Sequence, residues 1–117
     1  EGVLGQADAD RIIGLAKPEP SDEAADLEHF VEAFRGHDSS WVVAGLLWMV
    51  GADGYAAHGD FVRDSLRHGE AVVRETALDI FLANEPGKAA VTTQCELSSN
   101  DACEAVVRLA KRKLSTL

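Results

Sequence analysis

The sequence predicts an all-α fold. No stretch sustains the two-residue alternation of a half-buried strand. Several windows instead place apolar residues at i, i+3, i+4 and i+7, the spacing of one helix face. Between them stand clusters of Gly, Pro, Asp and Ser that end one helix and start the next. Together these give six to seven helices in a single domain over residues 1–117, paired as antiparallel helical hairpins.

Val3–Ala16 reads as a first short helix, capped by Asp8 or Asp10, with Ile12, Ile13 and Leu15 turned inward. The run Lys17–Pro20 breaks it, because each proline disfavours helix in the residue before it. Ser21–Arg35 is the clearest amphipathic helix. Ser21 is its expected N-cap, and Leu27, Phe30, Val31 and Phe34 form one stripe. Trp41–Val50 follows, with nine of its ten residues apolar and Gly45 the exception. Ten residues fall short of the roughly 20 that span a bilayer. An uninterrupted apolar helix of this length predicts one that neighbours cover on most sides. It is therefore expected to be the buried centre of the domain. Asp38, Ser39 and Ser40 stand ready to cap it, and Gly51 to end it.

Gly51–Tyr55 reads as a loop, Ala56–His68 as a helix closed by Gly69, and Glu70–Ala83 as the next. Asn84–Gly87 is a breaker. Lys88–Glu96 is a short helix in which Val91, Thr92 and Thr93 leave a strand open as an alternative. Ala102–Thr116 is the last helix. Its apolar stripe is Cys103, Val106, Val107, Ala110 and Leu114, and Lys111, Arg112 and Lys113 lie near its C-terminus, where the helix dipole favours cations.

The net charge of −9 argues against nucleic acid and anionic membranes as partners, since both call for clustered Lys and Arg. Residues 1–40 carry −7 of it. Such a run is either a solvated surface or an acidic docking face for a protein. A second copy of the chain is a further candidate partner. Cys95 and Cys103 are the only cysteines, and the short polar loop between them permits a disulfide. Two reduced thiols are the alternative. The disulfide, together with a start at Glu1 that reads as a trimmed chain or a removed leader, points to a periplasmic or secreted protein; the reduced pair points to the cytoplasm.

Two segments align at an offset of 31. Val42, Leu46, Leu47 and Val50 fall on Val73, Ala77, Leu78 and Phe81. The phrase Val73-Arg74-Glu75-Thr76-Ala77-Leu78 resembles the first helix of a HEAT repeat, although Val43 stands where the first unit would need the Arg. The resemblance to HEAT and armadillo repeats implies a curved stack of hairpins that binds proteins and catalyses nothing.

No motif for catalysis, metal or cofactor stands out. His58 and Asp60 form an HxD, but no second His follows at i+4 and no HExxH occurs. His29, His37 and His68 read as surface or half-buried imidazoles. Neither cysteine has a His near in sequence to activate it. The aspartates lack the spacing of a calcium loop, and Gly51–Gly54 follows a helix where a phosphate loop follows a strand. The loops at the two ends of Trp41–Val50 are better candidates. They hold Asp38, Ser39, Asp53, Tyr55, His58 and Asp60, and binding residues concentrate on loops held by a scaffold. Ordinary caps and turns are the plain alternative. By size, acidity, helical class and expected export, and not by motif, the chain is similar to immunity proteins. These neutralise peptidoglycan-cleaving toxins such as the amidases of type VI secretion. That likeness implies a non-catalytic inhibitor that plugs an enzyme's cleft. A scaffold module and a helical small-molecule binder are the alternatives.

Overall fold

The computed structural model describes residues 20–117, and the helix expected over Val3–Ala16 lies outside them. Six helices follow: α1 Pro20–Phe34, α2 Ser40–Val50, α3 Tyr55–Ser65, α4 Ala71–Asn84, α5 Lys88–Ser98 and α6 Glu104–Leu114. No strand occurs among the described residues, so the Val91–Thr93 ambiguity resolves as helix. The proline that the sequence assigned to a break instead opens α1, where its fixed φ suits the first turn and its missing N–H costs nothing. Ser21 accordingly lies inside the helix.

The helices pack in a regular order. α4 lies against α2 on one side and α6 on the other, making a row, while α1 backs α2, α3 backs α4 and α5 backs α6. Short turns join consecutive helices. Two of these turns are built alike. The Ser39 N–H before α2 donates to Nδ1 of His37 at 2.9 Å, and the Glu70 N–H before α4 donates to Nδ1 of His68 at 3.0 Å. The two sites are 31 residues apart, the offset at which the apolar pattern repeats. In both, the imidazole accepts the N–H of the N-cap residue itself, the donor that a Glu or Gln at the third helical position takes in a capping box.

The core is centred on α4. Val73, Ala77 and Leu78 are fully buried there, packed with Leu47 and Val50 of α2, Phe61 and Val62 of α3, and Val106 and Ala110 of α6. The helix expected at the centre, α2, instead lies at the end of the row. Only one side of it, Val43, Leu46, Leu47 and Val50, faces the core. Its composition carries no polar residue to mark a wet face, and a run of apolar residues does not reveal how many neighbours will cover it.

Polar contacts fasten the frame at α4. Arg74 makes a two-pronged ion pair with Asp101 in the α5–α6 turn, Nε to Oδ2 at 2.9 Å and Nη2 to Oδ1 at 3.0 Å. Its Nη1 also donates to the carbonyls of His68 and Gly69. The guanidinium beside it holds the Asp101 carboxyl below the usual range. Asp101 in turn accepts the Cys103 N–H at the start of α6, at 2.8 Å. Gly54, after α2, allows a close approach. A Cβ there would stand 2.7 Å from the Val50 carbonyl oxygen and 2.8 Å from Leu27.

The expected disulfide is absent. Cys95 and Cys103 are both free. Cys95 points from α5 into the core, where burial pushes its thiol pKa up, while Cys103 caps the start of α6. The pair therefore lends no support to export.

Candidate functional site

The most unusual surface in the molecule is the outer side of α2. Trp41 is 74 % exposed, Trp48 60 %, Met49 54 % and Val42 38 %. These are the chain's only tryptophans and its only methionine. At 100° per residue they resolve into two ridges, Trp41 with Trp48 and Val42 with Met49, each seven residues apart. Gly45 lies between the ridges and leaves a bare floor; nothing stands within 4 Å of where its Cβ would be. Glycine in mid-helix costs about 1 kcal/mol relative to alanine, and among the described residues no close contact asks for it. No charged residue occurs from Ser40 to Val50.

A groove of about 330 Å³ runs from Trp48 across the row of helices. Glu75 and Asp79 of α4 line it, followed by Arg108 and Arg112 of α6. None of these four charges forms an ion pair among the described residues. The outer surface of the row thus changes from apolar to acidic to basic as it passes from α2 to α6. Phe30 and Phe34 on α1 add a stacked, part-exposed aromatic pair, with ring centroids 6.2 Å apart and His37 next in line.

The residues expected at the site are dispersed. Asp38 is exposed and Ser39 half-buried at the start of α2, while Asp53 is exposed beyond its far end, about 16 Å along an eleven-residue helix. His58 sits at a kink inside α3, with φ −121° and ψ 21°. Asp60 is exposed and reaches Arg35 of α1 at 3.4 Å, beside the Arg35–Asp64 pair at 3.0 Å. Tyr55, expected on a loop, begins α3 and is buried. Its hydroxyl donates to Oε1 of Glu85 at 2.7 Å, and Arg63 approaches the same oxygen at 3.5 Å. Burial and the Glu85 carboxylate raise the Tyr55 pKa to about 12, and the tyrosine's hydrogen bond holds the Glu85 carboxyl low. This is a fastener between α3 and the end of α4, with each polar group satisfied.

Among the described residues no group of three or more His, Cys, Asp or Glu is placed to hold a metal ion. No described helix is long and apolar enough to cross a membrane. Comparison with known proteins returns no matching family, no similar curated protein and no similar solved structure.

The α2 face was missed by reading every apolar residue of Trp41–Val50 as buried. A signal was present. Val43, Leu46, Leu47 and Val50 already complete a stripe at i, i+3, i+4 and i+7, so both tryptophans and Met49 fall on the opposite side.

Proposed function

We propose that the protein works by binding a polypeptide, without catalysis, and that the outer face of α2 is its contact surface. The single observation behind this reading is the pair of exposed tryptophans flanking Gly45 on a helix with no charge. Tryptophan is the residue most enriched among interface hot spots, and an uncharged apolar centre is what interfaces bury. Two tryptophans at these exposures offer roughly 300 Å² of surface, and Met49 and Val42 bring the patch to roughly 500 Å², near the upper end for a monomer that leaves it open. The resemblance of Val73–Leu78 to a HEAT helix implies the same kind of work. An exported inhibitor of a cell-wall-degrading enzyme is the narrower form suggested by the chain's size and acidity.

The test is paired affinity capture. A tagged chain and its Trp48→Glu variant are each expressed with an untagged copy in the source cells, and bound proteins are quantified. The expected result is one stoichiometric polypeptide held by the native chain and lost from the variant. Equal recovery with both baits would move the contact away from α2. Among recovered proteins, a wall hydrolase whose activity falls on binding is the outcome that the inhibitor form requires.

A further inference from the structure

We infer that the polypeptide seated on the α2 face is a second copy of this chain, joined edge to edge so that the rows of helices continue across a two-fold axis. The inference rests on the reading of α2 as a docking surface and adds the identity of the occupant.

The internal alignment supplies the first argument. At the offset of 31, Val42, Gly45 and Met49 correspond to Val73, Thr76 and Ile80 of α4. All three are buried in α4, which has a row neighbour on either side. Their counterparts on α2 are exposed. Among the described residues, therefore, no helix lies alongside α2 on the side where α4 already has one.

The second argument is self-complementarity. A two-fold contact uses one patch on both partners, so knob and socket must share a surface. They do so here. At about 1.5 Å per residue, Trp41 lies about 6 Å to one side of Gly45 and Trp48 about 4.5 Å to the other. A two-fold axis in the contact plane at Gly45, perpendicular to the helix, sets each Trp41 against the other copy's Trp48. It also sets each Val42 against the other Met49. The two bare glycines meet at the crossing, where small residues allow close approach of the backbones.

Charge and area agree. α2 has no charged residue, so the contact itself brings no like charges face to face. A specific interface takes about 800 Å² from each partner, and the α2 patch supplies more than half of it before its margins are counted.

Because both tryptophans lie on this face, their fluorescence reports on it alone. The experiment is sedimentation equilibrium of the full chain over a dilution series, with tryptophan emission and acrylamide quenching read on the same samples. A dimer is expected, with emission shifting to longer wavelength and quenching rising as dilution separates the copies. A Cβ at Gly45 has nothing within 4 Å, and glutamate is a better helix former than glycine, so helix content by circular dichroism should be unchanged in Gly45→Glu while dimer dissociation rises on the order of 100-fold. Trp41→Ser should weaken the dimer in the same direction. A native chain that stays monomeric with quenchable tryptophans overturns the second copy but leaves the α2 docking surface open to a different protein. A monomer with shielded tryptophans overturns both. A dimer that survives Gly45→Glu places the contact elsewhere and overturns the inference.

Discussion

Helices α2 and α4 are built on the same apolar pattern 31 residues apart, follow the same histidine-capped turn, and end differently in the fold. α4 buries Val73, Thr76, Ala77, Leu78, Ile80 and Phe81. α2 buries the counterparts of Ala77, Leu78 and Phe81, and leaves the counterparts of Val73, Thr76 and Ile80 in solvent. The difference is one of position. α4 stands between two helices of the row, α2 and α6, with α3 behind it, whereas α2 packs on α1, α4 and, less extensively, α3, and among the described residues has a row neighbour on one side alone. α4 also has a polar fastener that α2 lacks, since Arg74 reaches Asp101 and Val43 stands at the matching place. Apolar residues thus mean core in one helix and, on one side of the other, open surface.

The sharpest way to break this comparison is to truncate one large side chain in each helix. Leu78→Ala, inside α4, is expected to cost about 3 kcal/mol, the transfer term plus the cavity left behind. Trp48→Ala, measured by urea unfolding at low protein concentration, is expected to cost less than about 1 kcal/mol, because the native chain gains little by exposing that ring. Similar losses for the two would mean that α2 is covered after all.

A smaller effect is expected from the fastener. Arg74→Met leaves the Asp101 carboxylate half-buried and unpaired, at a cost of about 2 kcal/mol at neutral pH. Asp101 is held below its ordinary value of 3.8, so the stability it contributes is present above that value and lost as pH falls beneath it. The gap between native chain and variant should therefore narrow on acidification in this window. A gap that is constant with pH would separate the loss from the ion pair.

The smallest probe is Tyr55, which ties the turn after α2 to the residue after α4. Tyr55→Phe removes its bond to Glu85 and is expected to cost about 1 kcal/mol. It is the only tyrosine, so phenolate absorbance titrates it alone. The midpoint should lie near 12 in the folded chain and near 10 once unfolded. With the folded value raised, the stabilisation is complete below pH 10 and is lost as pH rises from there towards 12. A folded midpoint near 10 would place the hydroxyl in water.

The all-α class and five of the six described helices were legible in outline from local signals alone: stripes at helical spacing, and breakers such as Gly36, Gly69 and Asn84–Gly87. The sixth, α5, left a strand open because its β-branched Val91, Thr92 and Thr93 suit either state. The offset of 31 was legible too, though the paired His37 and His68 turns were visible only once each ring was seen to accept a backbone N–H. The site was less so. The expected residues, Asp38 to Asp60, were chosen for residue type on loops, and the fold spreads them over both ends of α2 and onto α3.

What the sequence determined by itself is therefore what depends on neighbours along the chain: which segments form helices, where they stop, and which side of each carries an apolar stripe. What only the tertiary structure decided is what depends on neighbours across space. The order in which the helices stack made α4 the centre and α2 the edge. It directed Cys95 into the core as a free thiol, and buried Tyr55 against Glu85. Burial is a property of packing partners, and an apolar residue such as Trp48 carries the same local signal whether a helix of its own chain covers it or that side is left open.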